Sequence, residues 1–367
     1  MGSLLAIGFY LFQGDSGRES LVVAEIERNM EAVLGDDYDV LMSGAQIDFT
    51  SIGKISFAFS DINVQRKTDG SQIANIAAMR ADAGLLGLLT GTASFNDITI
   101  EDAVLDGSKF GGDGLLLPPH LEEPVNGLGR LLQRLESNLR GQGFDQVEIV
   151  NAQIIGRVLG RRATTPIVFE RLVFDHDKDR SLSLTGNIET GHSKVELGSG
   201  YTAAAGEGGS LKFSMNGVSL REWFLSPDDD KAFLAMNNIA AVSGVIDYDE
   251  TGQAADPEIS LKLGPGNLKV GLRDRTGVES ADFNIKLFLD RNQIELERSP
   301  VTAGRFNGLL IGGIKPVDDS VGYSGPLLYD FIVERGEFAP TLENEPVIPA
   351  AFKVAGTYDR SNQNVAA

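Results

Sequence analysis

The chain contains no cysteine among its 367 residues. Disulfides, thiolate catalysis and thiolate-ligated zinc are thereby excluded. The absence suits an oxidising compartment without requiring one. Histidine is scarce: His120, His176 and His192 lie far apart in turn-like settings, so a catalytic imidazole pair needs tertiary proximity. Positive charge is in deficit, with 32 Lys and Arg against 52 Asp and Glu and a formal net charge of −20. Such a surface repels phosphate backbones, which argues against nucleic-acid binding, and it disfavours anionic lipid headgroups. It does not oppose the capture of acyl chains in an apolar groove. Aromatic residues make up only 7%, too few for the girdles of an outer-membrane barrel.

A long hydrophobic run is also missing. Leu4 to Phe12 is the longest near the start, and a spanning helix takes about 20 residues. No basic segment precedes it and no small-residue cleavage site follows, unlike a signal peptide. Two readings stand. The run is the C-terminal half of a membrane anchor, or it is a buried first strand. The abrupt polar stretch "QGDSGRES" after it favours the anchor.

What is present is glycine, 43 residues of it, between many short alternating runs. That pattern predicts an all-β protein rich in turns. "KISFAFSDINVQR", "SQIANIAAMRADAG", "FNDITIEDAVLDGSKF", "VEIVNAQIIGRVL", "PIVFERLVF", "SLSLTGNIE", "GSLKFSMNGVSL", "EISLKLGPGNLKVGL", "ADFNIKLFLDRNQIELE", "RFNGLLIGGIK" and "AAFKVAGTYD" all read as strands or strand pairs. Three segments break the period. Ser20–Gly35 and Glu123–Gly143 carry apolar residues at three- and four-residue steps, as amphipathic helices do. Ser219–Asn237 reads as two short helices, with Pro227 and Asp228 to Asp230 opening the second.

One stretch, "VFDHDKDRSLSLTG", has the look of a metal loop. Counting from Asp175, the sixth position is Arg180 and the twelfth is Gly186. A calcium loop of the best-defined kind needs Gly and Glu there. The alternating flanks instead predict a hairpin. Carboxylates elsewhere concentrate in turns, and no pair stands out as an acid and base. No catalytic residue, metal ligand or cofactor is therefore expected.

The expected architecture is mainly β: a long curved antiparallel sheet with a few amphipathic helices at its ends. The organisation read from composition is a partial anchor over 1–14 and a helix with a β module over 15–114. A linker and amphipathic helix follow over 115–143, then a continued β-groove over 144–367 with a helical insertion at 219–237. So few helices cannot cover so many strands, and an uncovered apolar face of that size marks a binding surface. The candidate groove residues are Phe57, Phe59, Ile98, Ile100, Val173, Leu182, Leu184, Phe213, Ile259, Leu261, Leu263, Phe283, Ile285 and Leu287. The competing reading is that these form an ordinary sandwich core.

The order of elements resembles the AsmA-like family, its YhdP-like branch above all. The resemblance rests on "SLVVAEIERNMEAVLG" after the apolar run, on "DVLMSGAQIDF" through "AGLLGLLTG", on "FNDITIEDAVLDGSKF", and on "VSLREWFLSPDDDKAFLAMNNIAAVSGVIDYDETGQ". It covers most of the chain, from about Leu4 to Gly313, through residue types rather than fixed chemistry. It implies a bridge-like lipid transfer protein of Gram-negative bacteria, held in the inner membrane by an N-terminal anchor. Its β-groove would extend into the periplasm and carry phospholipid toward the outer membrane, without catalysis. Outer-membrane or periplasmic proteins are implied partners. The alternative expectation is a periplasmic β-rich scaffold that assists outer-membrane proteins through edge-strand pairing.

Overall fold

The computed structural model describes residues 37–51, 54–84, 95–109, 120–142, 146–158, 161–162, 166–177, 181–190, 193–204, 208–220, 234–270, 276–340, 346–359 and 364–366. The expected anchor over 1–14, the helix over Ser20–Gly35 and most of the insertion over 219–237 lie outside them. The chain is mainly β and divides into two compact units, 1–114 with 143–166, and 115–142 with 167–367. The breaks fall at the ends of the expected linker and helix. Residues 143–166, however, return to the first unit rather than continuing the later sheet.

The first unit holds β1 (Tyr38–Leu41), β2 (Gly44–Ser51), β3 (Lys54–Arg66), β4 (Gln72–Gly84), β5 (Phe95–Asp106) and β6 (Gln146–Ile155). A small hairpin, β7 (Arg157–Val158) with β8 (Arg161–Arg162), follows. β2 and β1 pair in turn with the first and second halves of β3. β3, β4 and β5 follow as antiparallel neighbours. β5 and β6 are parallel, so this sheet is mixed where a purely antiparallel one was expected. Parallel neighbours need a long crossover, and residues 107–145 supply it.

The alternation in this unit changes phase along the strands. On β3, Ile55, Phe57 and Phe59 are buried, then Ile62 and Val64. The switch falls at Asp61, whose φ is +52°. Asp102 on β5 and Asn151 on β6 adopt the same left-handed backbone, with φ of +53° and +55°. The register aligns them: Glu101 faces Val150 and Val104 faces Gln153, so Asp102 lies beside Asn151. Asp and Asn tolerate this conformation better than other non-glycine residues. The Asn151 amide also donates to the Asp102 carboxylate across the bend. The polar pair Asp102 and Asn151 thus re-aims β5 and β6 together, and Asp61 does the same for β3.

The second unit opens with α1 (Glu122–Gln142). Its sheet runs β9 (Ile167–Asp177), β10 (Ser181–Glu189), β11 (Lys194–Ala204), β12 (Gly208–Ser219), β14 (Ile239–Tyr248), β15 (Glu258–Leu263), β18 (Ser280–Phe288), β19 (Gln293–Ala303), β20 (Phe306–Pro316), β21 (Leu327–Phe338), β22 (Ile348–Asp359) and β23 (Asn364–Ala366). Each strand pairs antiparallel with the next in that order. Among the described residues, no pairing joins β9 to β23, so the sheet is open and not a barrel. β13 (Leu234–Met236), β16 (Gly266–Val270) and β17 (Thr276–Val278) form a separate small sheet. Leu234–Met236 is thus a strand where the reading of 219–237 placed the end of a helix. Register breaks occur in β9, β12, β19 and β21, and bulges of this kind bend and twist a strand.

Candidate functional site

Following the register of the second unit from strand to strand traces one continuous row. It runs Phe174, Leu184, Ser199, Phe213, Gly244, Ile259, Ile285, Leu296, Gly312, Phe331, Val354, each residue the direct partner of the next. The row contains no charge, and Ser199 is its only side-chain polar group. With strands about 4.8 Å apart, it extends roughly 50 Å. A second row beside it is also apolar: Leu172, Gly186, Leu197, Met215, Val242, Leu261 and Phe283 are consecutive partners. Beyond the β19 bulge, the row resumes with Leu310, Val333 and Phe352.

The opposite face is a different surface. One of its rows runs Asp175, Ser183, Gly200, Lys212, Val245, Glu258, Lys286, Glu295, Gly313, Asp330. Ion pairs tie its strands, Lys286 to Glu258 at 3.6 Å and Lys262 to Asp282 at 3.7 Å. In water such exposed pairs add little stability. Their consequence here is to fix which face is wet.

The apolar face is closed at its two margins and open along its middle. At one margin Val195, Val218, Leu220, Ala240, Leu263 and Ala281 form a buried cluster. At the other, Leu182, Tyr201, Leu211, Ile246 and Tyr248 are buried, with Val125 and Leu132 of α1 packed on them. Between the margins, Leu184, Phe213, Ile259, Ile285, Leu296 and Phe331 stay half-exposed. A sandwich core would bury them. Two aromatic rings lie over glycines: Phe213 of β12 over Gly244 of β14, and Phe306 of β20 over Gly336 of β21 and Gly308 of its own strand.

α1 is fixed to its margin by polar contacts at both ends of one hairpin turn. Asn126 Oδ1 accepts from the Ala254 backbone N–H at 2.8 Å, and Gln133 Nε2 donates to the Asp249 carbonyl at 2.8 Å. Before the helix, the Leu121 N–H donates to Asn292 Oδ1 at 3.0 Å. Tyr323 Oη in turn donates to the Asn292 carbonyl at 3.0 Å. The three- and four-residue steps that predict this helix place Val125, Leu128, Leu131, Leu132, Leu135 and Leu139 on one face; the side chains of Leu135 and Leu139 lie outside the described ones. The structure splits them: Val125 and Leu132 meet the sheet, while Leu128 and Leu131 are exposed.

The expected groove residues are distributed unevenly. Leu182, Leu184, Phe213, Ile259, Leu261, Leu263, Phe283, Ile285 and Leu287 share the apolar face of the second unit. Leu182 and Leu263 lie in its buried margins. Val173 does not belong with them: it faces Thr185 across β9 and β10, on the side opposite Leu184. Phe57 and Phe59, 4% and 2% exposed, are closed core of the first unit rather than lining of an open groove. Ile98 and Ile100 lie between Ala81 and Met79 on β4 and Val147 and Ile149 on β6, half-buried in the same unit.

Among the described residues, the carboxylates and histidine of the stretch with the look of a metal loop lie in a hairpin. Asp175 and His176 sit in strand β9, and Ser181 faces Asp177 across the hairpin expected from the flanks. Among the described residues, no group of His, Asp and Glu is placed to hold a metal ion. Among the described residues, the central row of the face offers apolar contacts with Ser199 as its one polar side chain. Comparison with known protein families, with curated proteins and with solved structures finds no match for the chain.

Proposed function

We propose that this chain is a non-enzymatic lipid-binding and lipid-transfer module of a Gram-negative cell envelope. In this reading the apolar face of the second unit carries phospholipid acyl chains between inner and outer membrane. The observation that carries it is the uncharged row from Phe174 to Val354 with a half-exposed middle. Each methylene taken from water onto such a surface is worth about 0.8 kcal/mol. Because the row offers the same kind of contact from strand to strand, an acyl chain meets no charged trap along it. Uniform, undirected attraction of this sort suits movement along a path better than retention at one point. A headgroup would stay in water beside the sheet, which the net charge of −20 does not oppose when the headgroup is zwitterionic.

The inner-membrane anchor belongs to the same proposal and falls on residues outside the described ones. Among the described residues, no helix is long and apolar enough to cross a membrane. The resemblance to the AsmA-like family points the same way as the apolar face, through a different line of reasoning.

The test is native mass spectrometry with lipid extraction on the full chain, purified in mild detergent. Diacyl phospholipid should co-purify and be lost on Leu184→Glu or Leu261→Glu. Both residues are half-exposed, so the variants should keep the far-ultraviolet circular dichroism of the parent. A stable lipid-free parent, or variants that simply unfold, would mean that the apolar side chains cover one another and that the face carries nothing.

A further inference from the structure

The small hairpin of the first unit opposes like charges. Its register sets Arg157 of β7 against Arg162 of β8, and Val158 against Arg161. Two arginines directly opposite one another destabilise a strand pair. A negative charge brought to them removes that cost. The surrounding sequence brings none: no Asp or Glu occurs from Ile149 to Phe169, although the chain holds 52 of them. The hairpin is therefore a cationic point on a chain of net charge −20.

The strands before it fix where this point lies. β5 and β6 are parallel and finish together, with Asp106 beside Ile155. β5 continues into a single 3-10 turn, Gly107–Lys109, in which Asp106 Oδ1 accepts from the Ser108 N–H at 3.0 Å. β6 continues through Gly156 into the hairpin, and β7 lies against the turn. Gly156 has a φ of +87°, and a Cβ on it would lie 2.9 Å from Asp106 Oδ1. The close approach brings Lys109 and the three arginines to one end of the unit's sheet. Arg66, which ends β3, donates to the Lys109 carbonyl and pairs with Asp69 at 3.5 Å, tying the turn to that strand. The two nearby carboxylates, Asp69 and Asp106, are thus already engaged by their own turns.

We propose that this end of the first unit docks on a membrane surface containing anionic phospholipid, whose phosphates supply the counter-charge that Arg157 and Arg162 require. Headgroups are separate and mobile in the plane of the membrane, so they gather around a small cationic point. Each Lys or Arg near such a surface raises affinity about fivefold. Val158, opposite Arg161, suits the apolar side of the headgroup boundary. No aromatic residue occurs from Ile149 to Pro166, so the segment has nothing on which a base could stack. The chain as a whole disfavours anionic headgroups, and the exception is local. Charges farther than about 10 Å are largely screened at 0.1 M salt, so distant carboxylates do not cancel the hairpin. This docking does not depend on what the apolar face of the second unit carries.

The test is co-sedimentation of the full chain with two kinds of vesicle, phosphatidylcholine alone and phosphatidylcholine mixed with phosphatidylglycerol. A membrane anchor raises binding to both, so the readout is their ratio, not retained lipid. The parent should favour the anionic vesicles by about 10- to 100-fold at low salt, and the preference should fall as salt rises. Combining Arg157→Gln, Arg161→Gln and Arg162→Gln should abolish it, whereas combining Arg157→Lys, Arg161→Lys and Arg162→Lys should keep it. Arg162→Gln alone relieves the opposed charges and should lower the preference about fivefold with no loss of stability. Equal binding of the parent to both vesicles overturns the proposal, including the case in which the arginines serve an acidic protein. So does a preference that survives in a folded triple Gln variant. Should that variant not fold, an undiminished preference in Arg162→Gln overturns it equally.

Discussion

Gly129 of α1 rests directly against the ring of Tyr248 on β14. A Cβ built on the glycine would lie 2.5 Å from Tyr248 Cε1, and it would press equally on the Gly252 carbonyl. The close approach seats the helix on its turn and lets Asn126 and Gln133 reach the ends of residues 249–254. Elsewhere in a helix, Gly→Ala stabilises by about 1 kcal/mol through propensity. Here the sign should reverse. Gly129→Ala is expected to destabilise by ~1–3 kcal/mol through overpacking, measured by urea unfolding. A stabilised variant would show that α1 is not seated as described.

The hydroxyls of two buried tyrosines should respond oppositely to removal. Tyr323 Oη donates to the Asn292 carbonyl at 3.0 Å. Tyr248 Oη has no hydrogen-bond partner among the described residues, though the side chain is only 3% exposed. An unpaired buried hydroxyl costs what its desolvation costs, while a paired one contributes about 1 kcal/mol. Tyr323→Phe should therefore lower stability by roughly that amount. Tyr248→Phe should leave the melting temperature unchanged or raise it. Thermal melts of the two variants side by side decide the matter.

Burial also pushes the phenols of Tyr248 and Tyr323 up to about 12 from an ordinary value of 10.0. In the folded chain they hold their protons where the unfolded chain gives them up. Their contribution to stability is complete below pH 10.0 and is lost as pH rises toward 12. Across that window each should remove up to ~1.4 kcal/mol per pH unit. Melting temperature against pH, with phenolate absorbance recorded in parallel, tests this. An alkaline melting profile left unchanged by both Tyr248→Phe and Tyr323→Phe would contradict it.

At the acid end, the hydroxyl of Thr251 and the N–H of Gln253 hold the Asp249 carboxyl below its ordinary value of 3.8. This is the turn that α1 grips. The turn's stabilisation by Asp249 is present above pH 3.8 and lost as pH falls through the lower folded value. Asp249→Asn should flatten that part of the acid melting profile. An unchanged profile would place the acid sensitivity elsewhere.

Most strands of the sheet could be read because their alternation is clean: "SLSLTGNIE" is β10 to the residue. β21 could not. Its sequence "LLYDFIVERGEF" carries Leu328 and Ile332 on the polar face, where they stay exposed, so the period of two is blurred. The same cause hid Phe331 and Val333 of the apolar face. The parallel pairing of β5 with β6 was equally hidden, because alternation within a strand says nothing about the direction of its neighbour. The apolar residues of the first unit were misassigned to a groove because a period of two reports a buried side without reporting what covers it. Val173 was misplaced for a narrower reason: "LVF" is apolar on both faces, and only the register with β10 tells them apart.

The phase change in the first unit gives a last, sharply signed prediction. Asn151 combines a φ of +55° with a side-chain bond to Asp102. A β-branched residue is a poor fit to that backbone, whereas glycine adopts it freely. Asn151→Val should cost ~1–3 kcal/mol in strain, with the lost amide adding to it. Asn151→Gly should lose only the amide, about 1 kcal/mol. If the two variants unfold at the same urea concentration, the backbone at 151 is not left-handed in solution. Ala152 and Ile154 would then not follow the inward side that Val147 and Ile149 set before the bend.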